Sequence, residues 1–223
     1  MAEIKDKIVT VESLSTLHEH NKENYMTKAD PVGTGSFSMN RKEGSLIGKN
    51  STATGQSTIA SGDYSNAEGC YSVASGFASH AEGYCIDPPS PTRASGTASH
   101  AEGMGSESSG KASHAEGFGT DANGDYSHTE GRYTIANGNS QHVQGKFNIE
   151  DTENKYAHIV GNGNDGSSRS NAHTIDWSGN GWFSGNIETS YIILRSTTPD
   201  STKKFMLSVD DTGELSVVEL TEN

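Results

Sequence analysis

Glycine recurs every seven residues through the middle of the chain, and this period constrains the fold more than any other feature. The glycines occur at positions 48, 55, 62, 69, 76 and 83, and then at 96, 103, 110, 117, 124, 131, 138 and 145. The period is broken once, between Gly83 and Gly96, where six additional residues lie within the segment 84–92. A fixed short period predicts a solenoid, in which each repeat packs on its neighbours.

Each period reads Ser-x-Ala-x-Gly followed by two linking residues, as in Ser99–Gly103 and Ser113–Gly117. Alternation puts Ser, Ala and Gly on one face of a five-residue β-strand and the two variable residues on the other, so we expect the small face to point inward. The two linking residues suit a tight corner, where glycine supplies unusual dihedral angles or allows close backbone approach. The spacing and the frequent glycines exclude a helix.

Two kinds of unit alternate, so the structural repeat has fourteen residues. Each coil is expected to contribute one strand to each of two sheets, with neighbouring coils stacked about 4.8 Å apart. An interior of Ala and Ser buries little apolar surface compared with the entropy cost of ordering each unit. We therefore expect several chains to associate.

One series of units carries mostly His and Glu at its variable positions, and this face is the expected contact between chains. A catalytic site occurs once, whereas this pair recurs on successive coils, so structural pairing is favoured over a repeated metal site or catalysis. Stacked Glu side chains would repel unless a His of the same strand or of a neighbouring chain donates to them. The ladder comprises His80, Glu82, His100, Glu102, His114, Glu116, His128, Glu130, His142 and Gln144.

These Ser-x-Ala-x-Gly repeats resemble the head repeats of trimeric autotransporter adhesins and similar stretches of bacteriophage fibre proteins. The resemblance covers nearly half of the chain and implies an all-β fold, a trimeric left-handed parallel β-roll or β-solenoid. The later segments 156–163, 169–177 and 181–185 look like stretches found toward the ends of phage fibres.

Charge and hydropathy argue against several classes of partner. The chain has 16 Lys and Arg against 29 Asp and Glu, a net charge of −13, and no basic cluster, so a nucleic acid is not an expected partner. No apolar run is long enough for a membrane span, and the first residues are charged with no signal-peptide pattern. These features disfavour an exported, membrane-anchored adhesin. We expect synthesis in a host cytoplasm and a place on the virion surface.

Three regions are predicted: an N-terminal arm and linker at 1–40, the β-roll at 41–147 and a C-terminal β-domain at 148–223. In the arm, an extended apolar stretch precedes a short helix at about 13–25 that is too small to fold alone. By resemblance to the leaders of phage fibres, it is expected to dock on a capsid or tail protein. The docking residues are Ile8, Val9, Val11, Leu14 and Leu17.

The C-terminal region contains both tryptophans, so Trp177, Trp182 and Phe183 are expected to form the aromatic core of a tip or a trimer clamp. A hairpin is predicted at 204–220, with Asp210–Gly213 as its turn. Cys70 and Cys85 lie about one coil apart, and two free thiols are favoured over a disulfide.

The function expected from these features is that of a structural virion fibre, a homotrimeric head or tail fibre involved in attachment to the host. No cofactor, metal or enzymatic activity is expected. The partners are other copies of the chain, a capsid or tail protein, and a glycan or other receptor on the host surface. The alternatives are a bacterial surface adhesin of the trimeric autotransporter type and a spike that depolymerises capsular polysaccharide.

Overall fold

The computed structural model describes residues 35–39, 42–84 and 90–220. Over these residues the protein is all-β, and the repeats form a β-solenoid, as the glycine period predicts. The described residues contain no helix that is long and apolar enough to cross a membrane. The predicted strand and helix of the N-terminal arm, with all five docking residues, lie outside the described residues.

The first sheet contains eleven strands among the described residues. Nine of them pair in parallel, from β1 to β15, and the last two continue the sheet in antiparallel fashion. The strands are β1 (Phe37–Met39), β2 (Thr52–Gln56), β4 (Asn66–Cys70), β6 (His80–Gly83), β8 (His100–Met104), β10 (His114–Phe118), β12 (His128–Arg132), β14 (His142–Lys146), β15 (Tyr156–Asn162), β16 (Asn171–Asp176) and β17 (Gly181–Phe183).

The second sheet is built from the other series of units. Its strands in the described chain are β3 (Ile59–Ala60), β5 (Val73–Ala74), β7 (Arg93–Ala94), β9 (Glu107–Ser108), β11 (Asp121–Ala122) and β13 (Ile135–Ala136). Each has two residues, so the prediction of five-residue strands is wrong for this series. The regular backbone pairing of these strands ends early because one carbonyl oxygen accepts two hydrogen bonds. Ser108 O accepts from Ser95 N at 2.9 Å and from Gly96 N at 3.3 Å.

Identical residues of successive coils face each other, as the fourteen-residue repeat predicts. Ala101 pairs with Ala115, and the same register holds in the second sheet, where Ala60 pairs with Ala74. The six-residue insertion leaves the ladder intact, because Ala81 pairs with Ala101 across it. The strands on either side of the insertion therefore keep the register of the repeat.

The interior consists of small side chains, as predicted. Alanines such as Ala101 and Ala115 are fully buried, and the serines that begin each unit are buried with them. The serines that begin the units of the first sheet bond to their own corner: Ser99 Oγ donates to Gly96 O at 2.8 Å, and Ser113 Oγ donates to Gly110 O at 2.7 Å. A buried hydroxyl thus has an acceptor three residues earlier, which explains why Ser recurs at this position.

The glycines differ between the two series, and the prediction that all of them face inward is wrong. Gly96 and its equivalents in the second sheet are buried, whereas Gly103 is exposed and adopts a φ of +94°. The positive φ interrupts the extended strand, so residues no longer alternate between inside and outside, and Gly103 is exposed to solvent. A Cβ at Gly103 would collide with the carbonyl oxygen of Gly117 in the next coil, so this position needs glycine for two reasons.

Several corners place non-glycine residues in the left-handed region, which the sequence did not predict. Ala98 and Ala112 have φ values of 55° and 49°, and Tyr126 has a φ of 59°. An L-residue pays roughly 1–2 kcal/mol for this conformation. The corner is held by bonds between coils, such as Ala112 N to Thr97 O at 2.8 Å.

The periodic solenoid passes directly into the region that follows it. β15 pairs in parallel with β14, and its Ile159 lies fully buried behind Val143. Asn148 closes the second sheet, because its Oδ1 accepts from Ile135 N at 2.8 Å and its Nδ2 donates to Ile135 O at 3.0 Å. The described residues up to Ser184 belong to one compact unit.

A second compact unit begins at Gly185. It contains a three-stranded antiparallel sheet of β18 (Ile192–Arg195), β19 (Lys204–Val209) and β20 (Leu215–Leu220). β19 and β20 form the hairpin predicted from the sequence, with Val209 opposite Leu215. The side chain of Asp210 holds the turn, since its Oδ1 accepts from Thr212 N at 2.8 Å and Glu214 N at 3.0 Å.

Candidate functional site

The first sheet carries the His/Glu ladder on its outward face. In β10, His114 and Glu116 flank the buried Ala115, so both project away from the core. The parallel register sets His114 opposite His128 and Glu116 opposite Glu130. The structure therefore brings the predicted ladder residues together in two adjacent columns, one of imidazoles and one of carboxylates.

The imidazole rings form a continuous stack. From His80 to His142, successive ring centroids are 4.7–4.8 Å apart and the planes are within 10° of parallel. His158 and His173 continue the row at 5.2 and 5.6 Å, but their planes are turned by 51° and 70° from the preceding ring, and Phe183 stacks on His173 at 4.5 Å. The sequence analysis missed these two histidines because the seven-residue period has ended before them.

Each His lies beside the Glu of the preceding coil of the same chain. His80 Nε2 is 3.0 Å from Glu68 Oε1, within hydrogen-bond distance. The other diagonal pairs are wider, at 3.6 Å for His128 with Glu116 and 3.9 Å for His114 with Glu102. The sequence predicted pairing within a strand or between chains, and it did not predict pairing between successive coils of one chain. Nor did it predict that Glu68 pairs with His80. The fourteen-residue register, which puts Glu68 one coil before Glu82, was the available signal.

Four ring nitrogens of the ladder are buried and have no hydrogen-bond partner among the described residues. They are the Nε2 atoms of His100, His114, His128 and His142. About a third of each side chain remains exposed, so the ring reaches the surface while this nitrogen does not. Burial, together with the neighbouring imidazoles, lowers the pKa of His100, His114 and His142. The uncharged form of these rings is therefore favoured.

The carboxylate column shares protons. The hydrogen bond to Glu116, burial and the bond to Glu82 raise the pKa of Glu102 to about 7. The same bond lowers the pKa of Glu116, whose carboxylate accepts it. At the end of the column an amide replaces the acid, and Gln144 Nε2 lies 3.3 Å from His158 Nε2. Sharing of protons relieves the repulsion expected between stacked carboxylates.

The ladder contains donor sets suited to a transition metal, but their orientation is unfavourable. The nearest ligand atoms of His80, Glu82 and His100, and of His100, Glu102 and His114, lie within 4.8 Å of one another. A zinc ion takes imidazole nitrogens at about 2.0–2.1 Å, along the plane of each ring. Parallel rings 4.7 Å apart cannot both direct a lone pair at one ion unless a ring rotates. The stacked geometry fits a structural ladder better than a metal centre.

The predicted aromatic core is absent within the single chain. Trp177, Trp182 and Phe183 have 51%, 55% and 49% of their surfaces exposed. They lie on or beside β16 and β17, at the end of the sheet, where no described layer covers them. Trp177 Nε1 donates to Asn154 O at 2.9 Å, and Phe183 joins the imidazole stack.

Cys70 carries a free thiol that lies 3.5 Å from Gln56 Oε1. Cys85 lies outside the described residues. The preference for two free thiols therefore stays a prediction for Cys85.

The chain matches no protein-family model, no curated protein and no solved structure.

Proposed function

We propose that the protein is a structural fibre of a virion, in which three copies associate through the His/Glu ladder and the assembly attaches the particle to its host. The observation that carries the proposal is the ladder face itself. It presents four buried ring nitrogens with no partner in the described chain, on a sheet face that is otherwise about one-third exposed. A buried polar atom without a hydrogen bond costs about 1–3 kcal/mol. A copy packed on this face would press each ring toward the Glu beside it, which lies 3.6–3.9 Å from the ring nitrogen, and so complete the missing hydrogen bonds.

The core supports association as well. Along the repeats each strand of the first sheet buries one small residue, such as Ala101 or Ala115. Larger apolar residues, Val143 and Ile159, are buried only at the end of the repeats. Burial of one methyl group per strand contributes about 0.8 kcal/mol, which is small compared with the entropy of ordering the unit. Contacts between copies would add the missing burial.

A fibre role follows from the repeats and their resemblance to phage fibres. Coils that stack in one register build an elongated element, in which each coil packs only on its neighbours. The N-terminal arm, with Ile8, Val9, Val11, Leu14 and Leu17, would dock on a capsid or tail protein. The region 148–223 would then face the host surface, with the exposed Trp177 and Trp182 as contacts.

Immunogold labelling of virions with an antibody against residues 148–223 tests this proposal. Label on heads or tails is expected for the normal chain, and the label should be lost when Leu14 and Leu17 are both replaced by Asp in the full chain. A matched control replaces Thr10 and Thr16 by Asp, which adds the same charge without removing the apolar residues. Label on the bacterial envelope, with none on particles, would instead indicate the adhesin alternative. Release of reducing sugar from capsular polysaccharide by the purified protein would indicate the depolymerase.

A further inference from the structure

A cleft of about 750 Å³ lies where the parallel solenoid passes into its antiparallel strands. One wall comes from the segment 149–156 that connects β14 to β15, and the other from β16, β17 and the turn between them. The volume falls within the range of about 300–1,000 Å³ that is typical of small-molecule sites. All of its lining residues belong to the first compact unit.

The walls of the cleft are held by buried hydrogen bonds. Asp151 is 6% exposed, and its Oδ2 accepts from Gln141 Nε2 at 2.9 Å and from Tyr156 N at 2.8 Å. Asn171 Oδ1 accepts from Ile149 N at 2.9 Å, which ties the connecting segment to β16. A cleft fixed in this way loses little conformational entropy when a ligand binds.

The aromatic lining suits a ligand with an apolar face. Trp182 is half exposed and lines the cleft together with Tyr156. The indole N–H of Trp182 has no acceptor among the described residues and is free to donate to a ligand. The negative face of an aromatic ring attracts the weakly positive C–H groups of a flat, hydrogen-rich partner.

The polar lining suits a ligand with many hydroxyl groups. Carboxylates only accept hydrogen bonds, while an amide such as that of Asn180 both donates and accepts. The acidic side chains of the lining are Glu150, Asp151, Glu153 and Asp176, against the single base Lys155. This excess repels phosphate, sulfate and acidic sugars.

A cationic ligand is also disfavoured. The ammonium group of Lys155 already lies within the lining, 5.0 Å from the centre of the Tyr156 ring. Asp151 and Asp176 are satisfied by backbone and amide donors, the latter by Asn180 Nδ2 and Asn180 N, both at 2.8 Å. These bonds also lower the pKa of Asp176, so it is unsuited to act as the general acid of a glycosidase.

We propose that this cleft binds a neutral saccharide, with one sugar ring stacked on Trp182 and its hydroxyl groups bonded to the exposed lining side chains of Glu150, Thr152 and Glu153. A pyranose offers both a C–H face and a ring of hydroxyls, which are the two chemistries that the walls present together. The inference deepens the proposed function, on which it rests, by assigning the host-directed contact to one site and one class of ligand.

Calorimetric titration of the full chain tests the inference with maltotriose, cellotriose and N,N′-diacetylchitobiose as neutral probes. Sialyllactose serves as the acidic probe and trilysine as the basic one. Each is added to about 10 mM, which reveals binding even at a Kd of about 1 mM. We expect at least one neutral probe to bind, and neither charged probe to bind as tightly.

Substitution of adjacent residues on β17 locates the site. Trp182→Ala should weaken binding roughly tenfold or more, as for a central aromatic contact, whereas Trp182→Phe should retain most of it. The matched control Phe183→Ala alters the next residue, which does not line the cleft, and should change the affinity less than about twofold. Unchanged circular dichroism would show that each variant is folded.

Three results would overturn the inference: no binding of any neutral probe, tightest binding of sialyllactose or trilysine, or equal losses in Trp182→Ala and Phe183→Ala. The sedimentation of the same samples separates this outcome from failure of the proposed function. Trimers that bind no neutral saccharide would refute the saccharide site alone. Monomers that bind one would refute the trimer alone.

Discussion

At the scale of single side chains, the ladder must stack like residues on each other and must also limit the repulsion between like charges. Stacking of identical coils forces like residues into contact, so His lies on His and Glu on Glu. Burial lowers the pKa of His100, His114 and His142, which favours their uncharged form, and the hydrogen bond to Glu116, burial and the bond to Glu82 raise the pKa of Glu102. At His100, His114, His142 and Glu102 the pKa moves in the direction that favours the uncharged form, which reduces repulsion between like neighbours.

This behaviour makes the ladder sensitive to pH. The folded-state pKa of Glu102 is raised from 4.5 to about 7, so its stabilising contribution is complete below pH 4.5 and is lost as the pH rises through 7. The pKa of His100 is lowered from 6.5, so its contribution has the opposite sign: it is present above pH 6.5 and is lost as the pH falls. A single substitution can isolate the carboxyl contribution.

We expect Glu102→Gln to melt like the normal protein at pH 5, where the carboxyl is protonated and resembles the amide. At pH 8.5 the variant should be more stable, by no more than about 1 kcal/mol because the side chain is one-third exposed and its charge is screened. Chemical denaturation at the two pH values measures the difference. The control Glu43→Gln, at an exposed position, should show none. A stability difference that shrinks between pH 5 and pH 8.5 would contradict the assignment.

At the scale of strands and corners, the sequence predicted what depends on period and missed what depends on local backbone geometry. The seven-residue glycine spacing was enough to predict parallel stacking, the buried Ala and Ser, and a register that continues across the insertion. It could not show that Gly103 turns outward, because alternation assumes extended dihedral angles and Gly103 has a φ of +94°. The cleft was missed for a different reason: its walls come from non-periodic segments that approach each other only after folding.

Gly103→Ala tests whether the exposed glycines of the first sheet are needed for their positive φ and their close approach to the next coil. The new methyl group would meet the carbonyl oxygen of Gly117, and the positive φ would be strained, so we expect a loss of at least about 2 kcal/mol in the free energy of unfolding. Gly166→Ala is the matched control, since its Cβ would meet nothing within 4 Å and its φ is not in the left-handed region. That variant should stay within about 0.5 kcal/mol of the normal protein. Equal melting of the two variants would show that the backbone at Gly103 relaxes freely.

In the part of the molecule that the structure describes, the solenoid has a small apolar interior, and four ring nitrogens on the ladder face form no hydrogen bond. In the described chain, the buried hydrophobic residues are mostly alanines, and Trp177, Trp182 and Phe183 are half exposed. Association through the ladder face would cover the exposed parts of the His and Glu side chains of successive coils together, since they recur in one register. The proposed fibre role therefore depends on the trimer.

Sedimentation equilibrium of the purified full chain at micromolar concentration tests that claim most directly. The account predicts one folded species of about 71 kDa, the mass of three 23.6 kDa chains. It also predicts that replacing both Glu102 and Glu116 by Ala shifts the species toward lower mass, because both lie on the contact face. A stable, folded species of 23.6 kDa for the normal protein would contradict the account.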